Sequence, residues 1–142
     1  MENITMATAT LADYITLQDG KKRIDGQPNA LSLVFDLPSD FVKGTNKAKP
    51  ILQFKIGVNK PSDLQIWVNQ DFTDTTYIQL DANLSKHNAF RSYHELINGG
   101  KFNPGERNEI KFILTEHSVL DQENNDVTIS DVVLIYQRNF EL

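Results

Sequence analysis

Hydrophobic and polar residues alternate with a period of two along most of the chain. Residues 31–37 set Leu31, Leu33, Phe35 and Leu37 on one face against Ser32 and Asp36. In the same way Leu52, Phe54, Ile56 and Val58 oppose Gln53, Lys55 and Gly57. Leu64, Ile66 and Val68 oppose Gln65, Trp67 and Asn69, and Ile110, Phe112 and Leu114 carry the pattern through 109–115. Residues 127–137 form a longer, more continuously apolar run, as a central strand would. Successive side chains of a strand point to opposite faces, so this alternation predicts half-buried antiparallel strands.

Turn residues fall between these segments. Asp19-Gly20 predicts a hairpin between 13–18 and 21–25, and Asp25-Gly26 a second turn. Lys60-Pro61-Ser62-Asp63 separates two strands, while Asn98-Gly99-Gly100 and Asn103-Pro104-Gly105 bracket a loop. A short helical turn is expected near 91–97. About eight strands result, and the turn spacing favours an antiparallel β-sandwich over a closed barrel. The length of 142 residues fits one domain, taken as 1–142.

Composition narrows the chemistry. With 39% hydrophobic and 23% charged residues the chain is globular rather than disordered. Its lack of cysteine excludes disulfides, cysteine zinc sites and thiol nucleophiles. A net charge of −5 and a pI near 5.1 argue against nucleic acid as a partner. Two basic clusters, Lys21-Lys22-Arg23 and Lys43, Lys47 and Lys49, read as solvated loop charge. No run of about 18 apolar residues provides a transmembrane segment. The N-terminus lacks the features of a secretory signal, so the expected location is the cytoplasm, or outside it by export without a cleaved signal. His87, His94 and His117 are scattered, and no nucleophile, phosphate-loop or metalloprotease motif occurs, which makes enzyme the weaker class.

The order of the second half resembles the galactose-binding-like jelly rolls, found as carbohydrate-binding modules and as sugar-binding domains of glycosidases. The resemblance runs over residues 62–137. It rests on Ile66-Trp67-Val68-Asn69, a following strand with Tyr77, the Tyr93-His94-Glu95-Leu96 segment and Phe102-Asn103-Pro104-Gly105. Asn108-Glu109-Ile110-Lys111-Phe112 and the closing Ile129–Leu134 run complete it. The chain departs from the proline-glycine-x-asparagine pattern by one residue, since Glu106 and Arg107 both separate Gly105 from Asn108. The roles in that motif are structural: Pro104 presets φ, Gly105 takes a positive φ, and Asn108 bonds backbone at the start of a strand.

The resemblance implies a jelly-roll sandwich and a lectin-like, non-catalytic module with a glycan as partner. Trp67 lies on the polar face among Gln65 and Asn69, and Tyr77 shares a face with Gln79. A ring covers a pyranose C–H face while amides bond hydroxyls, so Trp67, Gln65, Asn69 and Tyr77 are the leading ligand candidates. Arg91 and His94, beside Tyr93, form a second polar-aromatic group. Such jelly rolls often hold a structural calcium through an acid on a terminal strand, a part that Asp131 would share with Asp13 or Asp19. The simpler reading has Asp131 in solvent or capping a bulge. The oxygen-rich loop Asp121–Asp126 also suits calcium by residue type. A competing reading is a self-assembling sandwich, a homo-oligomer, with Val34, Ile51 and Ile113 supplying apolar contacts on the nominally polar face.

Overall fold

The computed structural model describes residues 8–25, 30–43, 49–60, 62–72, 78–80, 91–115 and 126–141. They form strands β1 (Thr8–Asp25), β2 (Ala30–Asp36), β3 (Ile51–Lys60), β4 (Ser62–Val68) and β5 (Asp71–Phe72). After these come β6 (Ile78–Leu80), β7 (Arg91–Leu96), β8 (Arg107–Thr115) and β9 (Asp126–Glu141), with one 3-10 turn at Gly99–Lys101. One sheet has the order β1-β9-β3-β7. The other has β2-β8-β4-β5, with β6 also along β4.

The pairing is nested. β8 occupies one edge of β4 from Asp63 to Val68, so β5 and β6 share its other edge as two pieces of one strand position. First then pairs with last, second with next to last, and so inward: β1 with β9, β2 with β8, β3 with β7, β4 with β5 and β6. An antiparallel ribbon folded over on itself in this way is a jelly roll. The sandwich implied by the alternation, and the jelly roll implied by the galactose-binding-like resemblance, are both found.

Alternation explains the core. The alternating positions Leu52, Phe54, Ile56 and Val58, Leu64, Ile66 and Val68, Ile110, Phe112 and Leu114, and Val127, Ile129, Val132, Leu134 and Tyr136 turn inward and are buried. Phe54 of the first sheet and Phe112 of the second meet edge to face with ring centroids 5.0 Å apart, and Tyr93 stacks on Phe54 at 5.9 Å. At one end of the sandwich Phe35, Phe102, Phe41 and Tyr136 form a continuous run of rings. Such pairs add to the area they bury, and they hold the two sheets in register.

Two local expectations are corrected. Asp19-Gly20 does not reverse the chain. β1 runs through it, with Gln18 opposite Val132 and Lys21 opposite Ser130, so the intervening residues form a bulge. Gly20 has φ 85°, and facing it Asp131 of β9 has φ 52°. A glycine that serves a hairpin serves a bulge equally, because both require positive φ. Lys21, Lys22 and Arg23 therefore stand on an edge strand, not in a loop, where charge discourages pairing with other chains. Residues 91–96 are strand β7 rather than a helical turn. Their pairing with Ile51–Ile56 and the stacking of Tyr93 override the local preference.

Candidate functional site

β4 leads into β5 through a two-residue turn, Asn69-Gln70, in which both residues have positive φ (49° and 67°). That pattern matches the right-handed twist of a hairpin, and asparagine tolerates it better than most residues. The Asn69 side chain then fixes the turn. Its Nδ2 donates to Lys101 O and to Asn108 Oδ1, both at 2.8 Å, and its Oδ1 accepts from Glu109 N at 2.8 Å. Asn108 is only 1% exposed and continues the network. Its Oδ1 accepts from Asn103 N, and its Nδ2 donates to Asn103 O and Glu106 O. Gly105 has φ 71°, as the motif requires.

This scaffold presents the outer face of the second sheet. Trp67 and Gln65 are half-buried there, and Trp67 Nε1 donates to Gln65 Oε1 at 3.1 Å. Trp67 faces Lys111 across the β4–β8 pair, and Gln65 faces Ile113. Trp67, Gln70, Glu109, Lys111 and Ile113 line a cleft of about 310 Å³. Beside it Val34, Asn69, Gln70, Arg107, Asn108 and Glu109 line another of about 350 Å³. The two share Gln70 and Glu109, so the tip of the turn stands between them. Both lie at the small end of the ~300–1,000 Å³ usual for ligand sites. Ser32 Oγ donates to the Glu109 carboxylate at 2.5 Å and draws it toward β2.

The structure separates the residues the sequence put forward. Gln65, Trp67 and Asn69 come together, but the Asn69 carboxamide is engaged by its own scaffold. Tyr77 lies outside the described residues. His94 is exposed on the outer face of the first sheet, opposite Gln53, and Arg91 stands exposed at the start of the same edge strand. They share no cleft with Trp67. Val34 and Ile113 belong to the second sheet's outer face and Ile51 to the first, so these three form no common patch.

Of the proposed calcium ligands, Asp13 stands apart, while Asp19 and Asp131 flank the same bulge. Asp13 sits opposite Tyr136, five residues along β9 from Asp131, about 16 Å at the usual strand rise. Its carboxylate accepts from Arg138 Nη1 at 3.1 Å, while Asp40 holds the same guanidinium through two bonds of 2.7 and 3.1 Å. Asp131 sits at the bulge, accepting from Gly20 N and Ser130 Oγ, with Lys55 Nζ at 3.8 Å. Asp19 is exposed next to Gly20. Of the Asp121–Asp126 loop only Asp126 is described, and it is ion-paired to Arg23 at 2.6 Å. Among the described residues no three histidine or acidic side chains gather as metal ligands.

These contacts set the behaviour in acid. The Tyr14 N–H and then the Arg138 guanidinium lower the pKa of Asp13. The Ser130 hydroxyl and Gly20 N–H do the same for Asp131. The folded chain therefore binds fewer protons than the unfolded one as pH falls below roughly 4, the ordinary aspartate value. Stability is fully present above that value and is lost as pH falls through the folded pKa values. The melting temperature is expected to drop as pH falls below about 4, and Asp13→Asn to make that drop shallower. An unchanged acid limb in the variant would show that the Asp13 contacts do not persist in solution.

Sequence reasoning missed Gln70, Glu109 and Lys111 as cleft residues, and it placed Ile113 in a contact between copies rather than in the cleft. Their signal was present, since 109, 111 and 113 are the polar-face positions of β8. What it lacked was the pairing of β8 with β4. No protein-family profile and no curated relative matches the chain. Among solved structures it is similar to a β-porphyranase of glycoside hydrolase family 86 from the human gut bacterium Bacteroides plebeius. That likeness has 13% identity and a TM-score of 0.61, covering 99% of this chain and 23% of the other. A second family 86 structure, in complex with neoagarooctaose, is similar at 15% identity and TM-score 0.56, covering 94% and 19%. The chain thus spans about a fifth of the length of these structures, and the likeness is one of fold. A looser likeness, TM-score 0.48 at 14% identity over 80% of this chain and 71% of the other, is to a family 35 carbohydrate binding module from an environmental isolate. It is too loose to carry an argument. Among the described residues no helix is long and apolar enough to cross a membrane.

Proposed function

We propose that this chain is a non-catalytic glycan-binding module that seats a sugar in the cleft beside Trp67. The observation that carries the reading is the half-buried indole on an outer sheet face, oriented by Gln65 and bordered by Gln70, Glu109 and Lys111. An aromatic face packs against sugar C–H groups, and amide, carboxylate and ammonium groups bond the hydroxyls around it. Hydrolysis of a glycosidic bond ordinarily takes two carboxyl groups flanking it. Among the described residues Glu109 is the single acid lining the two clefts, and Ser32 holds it. A binding role fits that composition better than a catalytic one.

Trp67 is the sole tryptophan, so its fluorescence reports on this cleft alone. Titration with a panel of oligosaccharides, agar-type fragments among them, is expected to shift that emission with saturation. Trp67→Ala, followed by calorimetry, is expected to weaken binding about 30-fold, the ~2 kcal/mol of a buried aromatic anchor. A folded Trp67→Ala protein that binds like the parent would end this reading.

A further inference from the structure

We infer that the glycan held beside Trp67 is acidic, carrying a carboxylate or a sulfate ester, and that Lys111 is the residue that recognises it. The inference rests on the reading of the cleft as a sugar site and adds the class of sugar. Lys111 stands directly across the strand pair from Trp67, is half-buried, and lines the same 310 Å³ cleft. Four other bases of the fold have a carboxylate in reach: Arg23 has Asp126, Arg138 has Asp40 and Asp13, Lys55 has Asp131, and Arg107 has Asp36. Among the described residues Lys111 has none within 4.0 Å. Glu109, two positions earlier on the same face, also lines the cleft, and its carboxylate accepts from the hydroxyl of Ser32, the β2 residue opposite Lys111, rather than pairing with the ammonium.

The charge balance sharpens the point. Acidic residues outnumber basic ones 19 to 14, so carboxylates are in excess for every base. An ammonium left without one, in a concavity that strips part of its water, is poorly compensated by the protein itself. An anionic group on a ligand supplies the missing charge through a charge-assisted hydrogen bond. The adjoining cleft repeats the sign, since Arg107 lines it and its ion pair with Asp36 is long, 4.0 Å between exposed side chains. An acidic oligosaccharide crossing Gln70 would meet a cation in each cleft.

The test is a Trp67 fluorescence titration with three oligosaccharides of matched length: neutral, uronate-containing and sulfate-esterified. An acidic form is expected to bind about tenfold more tightly than the neutral one at low ionic strength, with the advantage fading in ~0.5 M salt. Which acidic form shows the advantage identifies the anion. Lys111→Gln is expected to remove the preference for the acidic form over the neutral one, and Lys111→Arg to keep it. Equal binding of neutral and acidic forms, or a preference that survives Lys111→Gln, overturns the inference and leaves the Trp67 site standing. Absence of binding by all three overturns the sugar reading itself.

Discussion

Replacing Asn108 by alanine is expected to remove about 3 kcal/mol of stability, although the change deletes only a small polar group. The side chain is 1% exposed and makes four hydrogen bonds, to Asn69, to both backbone groups of Asn103 and to Glu106 O. Its loss leaves several enclosed donors and acceptors without partners, each costing ~1–3 kcal/mol where water cannot reach it. Partial entry of water keeps the total well below their sum. At roughly 3–4 °C per kcal/mol for a domain this size, the melting temperature should fall by about 10 °C. Asn108→Leu, which adds apolar volume but bonds nothing, should do no better. A loss under about 1 kcal/mol in urea unfolding would mean that the loops do not depend on this side chain. The Asn69-Gln70 turn should loosen with it, so glycan binding would weaken more than fold stability alone explains.

Phe112→Ala carries the other large expected loss, about 4 kcal/mol, within the range for emptying a buried aromatic site. Phe112 is fully buried, on the inner face of β8, with its ring edge-to-face with Phe54 across the interface between sheets. Truncation removes the contact that spans the sandwich and leaves a void neither sheet can close without changing its twist. Stabilities of ordinary domains are ~5–15 kcal/mol, so the variant should sit near its folding limit. Phe112→Leu, which keeps most of the volume, should lose about a third as much. Equal losses in the two variants would show that shape at this position matters less than the ring pair implies.

The sequence made the layers of this fold legible because one face of each sheet is dry. Leu52, Phe54 and Ile56, or Leu64, Ile66 and Val68, announce both a strand and its inner face without any partner being known. Asn108 and Gly105 were legible for a different reason: a turn that needs a positive φ and a side-chain acceptor selects those residue types locally. Pairing was not legible. Arg91-Ser92-Tyr93-His94 carries little preference of its own, and becomes a strand because β3 offers an edge and Phe54 a ring to stack on. The site suffers from the same gap. Trp67 stands out as the only tryptophan, yet its neighbours Lys111 and Glu109 come from 40 or more residues away, brought in by register. Asn69 misled because its residue type suits both a sugar and a turn, and only the hydrogen bonds show that the turn uses it.

The nested pairing has a kinetic consequence. β9 lies between β1 and β3, so β1 has no sheet to join until residues 126–141 are in place. Contacts so distant along the chain require large loops to close before they return any stabilisation, which slows folding. Assembly from the inside outward shortens each closure: β4 with β5 and β6 first, then β3 with β7, then β2 with β8, and β1 with β9 last. On a ribosome β1 would be the earliest strand made and the latest to dock. In the interval its exposed length carries the charges of Lys21, Lys22 and Arg23, which makes them a protection during synthesis as well as on the edge of the finished sheet.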